Sequence, residues 1–273
     1  MKIAVTGGKG GTGKSTVATA LATELSKHGD VLLVDADVDC PNDHLLLSME
    51  LEEVKDVETM IPVFDEEKCR KCGRCSEVCR ENAIVQVQDK YPILSENQCT
   101  GCQACMIACP FDAISPSKQT IGKIYEAKGV VDLVSGDMNP GVEESSLVVN
   151  ALKGYIKEDE YDYVVIDTAA GTHCPVIAAL MDVDLGIAVT EPTPLGEHDL
   201  DLILELMNEL GLVSRVVVNR SDIAESEGVE RISEKWGVPI VAEIPYSRDI
   251  ERDYAQGKPI KHESIERIAG DIV

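Results

Sequence analysis

The chain has 273 residues, 44% of them hydrophobic but only 4% aromatic, and carries 49 acidic against 25 basic side chains for a formal charge of −24. That length accommodates one large α/β domain and a small module, and its core must come mainly from Val, Ile, Leu and Ala, as buried parallel strands prefer. So negative a surface argues against nucleic acid and anionic lipid as partners, and no run of about 18 apolar residues offers a membrane span.

The opening residues MKIAVTGGKGGTGKST read as a strand and a loop, not as an export signal. The expected location is the cytoplasm. In a reducing compartment the ten cysteines favour metal chemistry over disulfides. Lys2–Thr6 is an apolar strand. Lys14–His28 has helical spacing, with Val17, Leu21 and Leu25 on one face and Gly29 as the expected C-cap. Val31–Val34 is a continuous apolar run ending in Asp35, a buried strand.

Between the first strand and helix, Gly8-Lys9-Gly10-Gly11-Thr12-Gly13-Lys14-Ser15 fits G-x-x-x-x-G-K-[ST] in the strand–loop–helix context the motif needs. Glycines let backbone N–H groups curl around a β-phosphate where side chains would clash, and the helix N-terminus adds partial positive charge. Lys14 is placed to reach the β- and γ-phosphates and the Ser15 hydroxyl to bind Mg²⁺, with Thr16 completing the nucleotide-binding stretch.

From Val63 to Ser117 the composition changes. CRKCGRCSEVCRENAI and CTGCQACMIACPFDAI can be laid over one another with a period of 30 residues, an internal duplication too short for a solenoid. Val85–Val87 and Tyr91–Leu94 between the halves read as a small hairpin. Both halves carry the C-x₂-C-x₂-C-x₃-C run of bacterial ferredoxins, in which the fourth thiolate serves the other cluster. One [4Fe–4S] cluster is therefore expected on Cys69, Cys72, Cys75 and Cys109, and a second on Cys79, Cys99, Cys102 and Cys105. Zinc rarely needs this spacing twice. The first run departs from the pattern with Arg80 where proline is usual; no ligand is lost.

After the insertion, Gly122–Tyr125 and Val130–Val134 read as short strands and Ser145–Ile156 as a helix. Tyr163–Ile166, Pro175–Met181, Leu185–Val189, Glu197–Leu210, Val213–Val218, Glu227–Trp236 and Pro239–Ile244 then alternate strand and helix. Such alternation predicts an α/β fold, a mostly parallel sheet wrapped by helices, with a small α+β two-cluster module inserted. The boundaries fall at 1–62 and 118–273 for the split nucleotide domain and 63–117 for the insertion.

KGGTGKST resembles the deviant Walker A loop of the MinD/ParA/nitrogenase-iron-protein superfamily, and the chain as a whole resembles its members that contain an inserted ferredoxin domain. The resemblance implies a SIMIBI-type P-loop NTPase that binds Mg-ATP and dimerises with nucleotide, either with itself or with a paralogue. It implies that Lys9 crosses the dimer to the partner's nucleotide. Asp35-Ala36-Asp37-Val38-Asp39 resembles switch I, with Asp37 positioning or deprotonating the attacking water and Asp39 near Mg²⁺. Catalysis is thus expected from Lys9, Lys14 and Asp37. Tyr163–Asp167 is a Walker B pattern whose Asp167 holds a Mg²⁺-bound water, and Gly171 in the following Thr168–Gly171 resembles the γ-phosphate sensor of switch II.

Asn219 matches the family's adenine-contacting position. Asn219-Arg220-Ser221-Asp222 also looks like a degenerate guanine-reading motif; the loop and switches favour ATP over GTP, with Arg220 in the base site and Pro245-Tyr246 covering the other base face. Cys40 and Cys174 are read as small, semi-buried residues near the nucleotide, the alternative for Cys174 being a redox or transient-metal role.

Two [4Fe–4S] clusters and Mg-ATP in one chain point to ATP-gated electron transfer to a redox partner. The alternatives are ATP-dependent delivery of iron–sulfur or other metal cofactors to an apo-acceptor protein, and a positioning ATPase with a redox sensor.

Overall fold

A computed structural model describes residues 1–273. In chain order the elements are β1 (Lys2–Thr6), α1 (Lys14–Leu25), β2 (Val31–Ala36), α2 (Asp43–Leu46), β3 (Glu52–Phe64), α3 (Arg74–Glu77), β4 (Ile84–Val85), β5 (Ile93–Leu94) and α4 (Ala104–Ala108). Then come β6 (Ile114–Ala127), β7 (Asp132–Met138), α5 (Ser146–Tyr155), β8 (Tyr163–Thr168), α6 (Cys174–Leu180), β9 (Leu185–Thr190) and α7 (Pro194–Glu209). The chain closes with β10 (Val213–Asn219), α8 (Glu227–Trp236), β11 (Ile240–Ile244), α9 (Arg248–Ala255) and α10 (Glu263–Ile272).

Nine strands form one sheet in the order β11-β10-β9-β1-β8-β2-β7-β6-β3. The seven from β11 to β7 are parallel, and β6 and β3 add antiparallel strands at one edge. The expected mostly parallel α/β sheet is therefore the fold. β2 and β9 are buried at every residue, which is why they read as unbroken apolar runs. One face packs on α5, α6, α7 and α8, and the other on α1 and α10.

Three local readings need correction. Helix α1 stops at Leu25, three residues short of His28. Gly29 is not its left-handed cap: the helix ends through Lys27 N–H to Glu24 and His28 N–H to Leu25, and Gly29 is small because a Cβ there would stand 2.5 Å from Asp162. The hairpin of the insertion is shorter than expected, with Ile84 opposite Leu94 and Val85 opposite Ile93. Beyond these, the mixed-charge segment Glu263–Ile272 forms α10, whose Ile265, Ile268 and Ala269 are buried in the α1 face; each Ile buried so contributes about 1.5–3 kcal/mol.

The largest difference concerns the insertion. It is not set off by a linker. β3 pairs with β6 from Glu52–Glu126 to Phe64–Ile114, a two-stranded ribbon that leaves the body and carries the cysteine segment at its far end. The short strand expected at Gly122–Tyr125 is thus the last part of a 14-residue strand. No strand was expected over Glu52–Phe64 because its first half is exposed and charged. Cross-strand pairs, Lys118–Glu58 at 2.5 Å and Lys123–Glu53 at 2.6 Å, suit such an edge.

Candidate functional site

The loop after β1 is pinned from three sides. Gly13 caps α1 at φ +95°, and a Cβ there would lie 2.3 Å from the Asn219 amide, so only glycine fits. That amide, at the end of β10, donates to the Thr12 carbonyl at 2.7 Å. Arg220 donates to the Gly11 carbonyl at 3.3 Å and also pairs with Glu191. Gly8 packs on α7, where a Cβ would meet Asp199 at 2.5 Å.

Above the loop opens a cleft of about 640 Å³. Gly10, Gly11, Gly13, Lys14, Ser15 and Thr16 form its floor, with Asp37 beside them. Asn219 and Arg220 stand at one side, and Pro245, Tyr246, Ile250 and Tyr254 form the far wall. The sequence-predicted nucleotide residues thus converge on one cleft, except that Gly8, Lys9, Thr12 and Gly171 do not line it. The Lys9 ammonium sits 3.2 Å from the buried carboxylate of Glu191 in its own chain. The Gly171 N–H, expected to sense a γ-phosphate, donates to the Gly7 carbonyl at 3.1 Å and so is engaged in this conformation. Asp222 accepts from the Tyr246 N–H at 2.6 Å and does not line the cleft.

Lys14 is 6% exposed. Burial pushes its pKa down, while Asp167 and Asp37 pull it back up. Its ammonium donates to the Lys9 carbonyl at 3.1 Å. Burial raises the Asp37 carboxyl, with Lys14 opposing.

Behind the loop, ligand atoms of Asp35, Asp43 and Asp167 lie within 4.8 Å of one another, all buried. Asp35 accepts backbone N–H groups from Asn42 at 2.9 Å, Asp43 at 3.1 Å and Asp37 at 3.2 Å. Both carboxylate oxygens of Asp43 and of Asp167 have no hydrogen-bond partner. Burial pushes Asp167 up to about 7; Ser15 and Lys14 oppose the shift, although Ser15 makes no hydrogen bond of full geometry. Asp35 and Asp43 are raised well above the usual carboxylate range, first by burial, then by the charge of Asp167 on Asp35 and of Asp35 on Asp43. Unpartnered carboxylate oxygens beside Ser15 fit a divalent cation, which satisfies buried acids at low cost. Asp39, expected beside Mg²⁺, is exposed and outside this group.

This cluster has a pH signature. The folded chain retains protons on these carboxyls that the unfolded chain has released, so folding stability falls as pH rises from 3.8 towards about 7. In metal-free buffer at about pH 8, Asp43→Asn is expected to raise stability by about 0.5–3 kcal/mol, the usual size of a single-site effect, because it removes one acid from the buried group. Added Mg²⁺ should narrow that difference. Denaturant unfolding of both proteins across this range checks it; a variant no more stable than wild type would mean that the three acids do not repel one another.

The cysteine segment forms two cavities. One is walled by Cys69, Cys72, Cys75 and Cys109, and the other by Cys79, Cys99, Cys102 and Cys105. Each cavity takes three thiols from one half and one from the other. The duplication extends to the backbone. Left-handed residues recur 30 positions apart: Lys71 and Gly101, Gly73 and Gln103, Asn82 and Asp112. Such turns aim successive N–H groups inward. Lys71 N–H points to Cys69 Sγ at 3.5 Å and Ala113 N–H to Cys109 Sγ at 3.4 Å. Burial raises Cys75, Cys99 and Cys105, the last to about 11, so without a metal these thiols keep their protons at neutral pH.

Cys40 and Cys174 are both exposed, not semi-buried. Sequence reasoning missed Asp43, Glu191 and the α9 wall of the cleft. Glu191 follows β9 as a single acid, Asp43 opens the short α2 seven residues beyond β2, and α9 has only Ile250 and Tyr254 to mark a face.

A model of the CobQ/CobB/MinD/ParA nucleotide-binding domain matches residues 3–260. An uncharacterized protein of Methanocaldococcus jannaschii is 35% identical over 94% of this chain and 90% of its own. A protein of Pyrococcus abyssi named an iron–sulfur cluster carrier is 25% identical over 89% and 73%. The septum site-determining protein MinD of Pyrococcus horikoshii, solved with Mg-ADP, superposes with a TM-score of 0.61 at 19% identity, covering 99% of this chain and 95% of that one.

Proposed function

The chain belongs to the CobQ/CobB/MinD/ParA nucleotide-binding family, and from that premise we propose that it is a Mg-ATPase whose nucleotide state governs electron transfer through two [4Fe–4S] clusters in its insertion. The observation that carries this reading is a continuous backbone path between the two sites. Behind Asp37, the Val38 carbonyl accepts the N–H of Met138, the last residue of β7. The next residue, Asn139, bonds the ribbon through Ile121 and Thr120. Glu143 N–H then donates to the Asn97 carbonyl, and Gln98 donates to the Glu143 carboxylate at 3.4 Å, immediately before Cys99. A shift at the nucleotide switch thus pulls on the loop that holds a cluster ligand.

Lys14 and the loop amides hold the phosphates, Ser15 and Asp167 hold Mg²⁺ with Asp35 and Asp43 behind, and Asp37 positions the water. Asn219 and Arg220 flank the base. Asp222 is committed to Tyr246 N–H, which favours adenine over guanine. Lys9 leaves Glu191 to reach the nucleotide of a second copy or a paralogue, and Gly171 leaves Gly7 to meet the γ-phosphate. The two four-thiol cavities hold the clusters, each of which supplies a one-electron couple when bound.

The carrier reading is favoured by the relatives named iron–sulfur cluster carriers. Against it stand eight thiols walling two separate cavities, a ligand set suited to retention. The deciding experiment is anaerobic: reduce the protein, add Mg-ATP, and follow the visible and EPR spectra and the potential. A nucleotide-linked change is expected. Loss of iron to an apo-acceptor on ATP addition would establish delivery instead. Gly141 sits in the connecting loop at φ +87°, with Asn97 3.2 Å from where a Cβ would be. Gly141→Val is therefore expected to abolish the response to ATP while keeping nucleotide affinity within about twofold and iron content intact; an unaltered response would remove this loop from the coupling.

A further inference from the structure

The two halves of the cysteine segment share a backbone but not a charge. Arg70, Lys71 and Arg74 interleave with the first three thiols, and Thr100, Gly101 and Ala104 occupy the same positions in the second half. Residues 63–117 hold six basic and eight acidic side chains, and the remainder of the chain nineteen and forty-one. Twelve of those nineteen cations are paired with carboxylates. In the insertion only Lys68 is, with the adjacent Asp65. Arg70, Lys71 and Arg74 are exposed and have no acidic partner; Lys71 rests on the Tyr91 ring at 4.3 Å.

Arg70 and Arg74 line the Cys69–Cys109 cavity together with Phe111, whose ring is 42% exposed. An exposed aromatic sharing a cavity mouth with two arginines suits a protein contact with an apolar centre and a charged rim. This cavity is also the outer one. It meets the tip of the ribbon at Phe64 and Ile114. The other meets Met60 and Pro62, nearer the body, where a Cβ on Gly101 would stand 2.5 Å from Thr59, and its loop is held by Glu143. In a chain of charge −24, three exposed, unpaired cations in five residues beside the outer cavity make a local surface that attracts a negatively charged protein.

Resting on the functional reading above, the geometry points to the Arg70–Lys71–Arg74 surface as the docking site of a small acidic one-electron carrier protein, one whose carboxylates surround an exposed redox group. The inner half is left to the body and the nucleotide.

The test measures binding, not turnover. The full chain, prepared anaerobically with its iron, is titrated calorimetrically with an oxidised, acidic plant-type [2Fe–2S] ferredoxin as probe, at low and at raised ionic strength. Wild-type affinity is expected to fall with salt. Arg70→Glu/Lys71→Glu/Arg74→Glu is expected to weaken it about tenfold or more at low salt. Ile107→Glu, on α4 of the second half and 86% exposed, should leave it as it is. Iron and sulfide are assayed on every variant, and if charge reversal costs iron, the corresponding triple glutamine variant gives the same reading. Unchanged affinity in the iron-replete triple variant, salt-independent binding, or an equal loss in Ile107→Glu overturns the docking site. Wild-type protein that binds no iron refutes the functional reading instead.

Discussion

Replacing Cys69 and Cys109 together by serine is expected to cost the protein one cluster, not two. The two residues are 40 positions apart and belong to different halves of the duplication, yet both wall the same cavity. If each run of four served its own cluster, the double variant would damage both, and iron would approach zero. With the thiols exchanged as the cavities place them, it retains about four of eight irons. The pair Cys69→Ser/Cys79→Ser is the converse control: it removes one thiol from each cavity and should lose nearly all iron. Iron and acid-labile sulfide per chain distinguish the outcomes directly. Tightly bound zinc in place of iron would reduce the insertion to a structural clip.

The second large effect is at Lys14. It is a buried cation adjoining Asp37 and Asp167, and two further carboxyls, Asp35 and Asp43, crowd the same corner. Lys14→Gln removes the charge that opposes their burial and the donor aimed at the phosphates. ATP hydrolysis is expected to fall by about 10²–10³-fold, the usual cost of a lost preorganised donor to developing charge. Nucleotide affinity should fall as well, since the remaining field at the floor of the cleft is acidic. Lys14→Arg is not expected to rescue, because the planar guanidinium does not fit where a single ammonium is packed against the Lys9 carbonyl. The variant should keep its full iron content while losing any spectral response to Mg-ATP. Hydrolysis within about threefold of wild type would mean that this loop is not the catalytic phosphate site. A residual ATP response would mean that the clusters sense nucleotide by another route.

The two sites differ in how local their information is. The glycine loop and the cysteine runs are written in consecutive residues, because phosphate wrapping and three-thiol capping are performed by one turn of backbone. The parallel strands are nearly as plain: Leu185–Thr190 and Val31–Ala36 are buried at every position, so burial on both faces prints itself as an apolar run. The ribbon was obscure for the opposite reason. Glu52–Phe64 is an outer strand, mostly exposed over its first half, and its partner ladder with β6, not its own side chains, makes it a strand. Helix α10 is likewise fixed by its setting, since α1 and the sheet supply the surface for its few apolar residues.

Sequence by itself determined the chemistry: a backbone cradle for a triphosphate, and eight thiols at cluster spacing in a duplicated insert. Tertiary structure alone decided the company those groups keep. It buried Asp43 with Asp35 and Asp167, fastened Lys9 to Glu191, and linked the Val38 carbonyl to Asn97 and Gln98, just before Cys99, through the loop after β7. These contacts link positions distant in the chain, and an acid or a lysine has no local pattern that says what it will face once a nine-stranded sheet has closed around it.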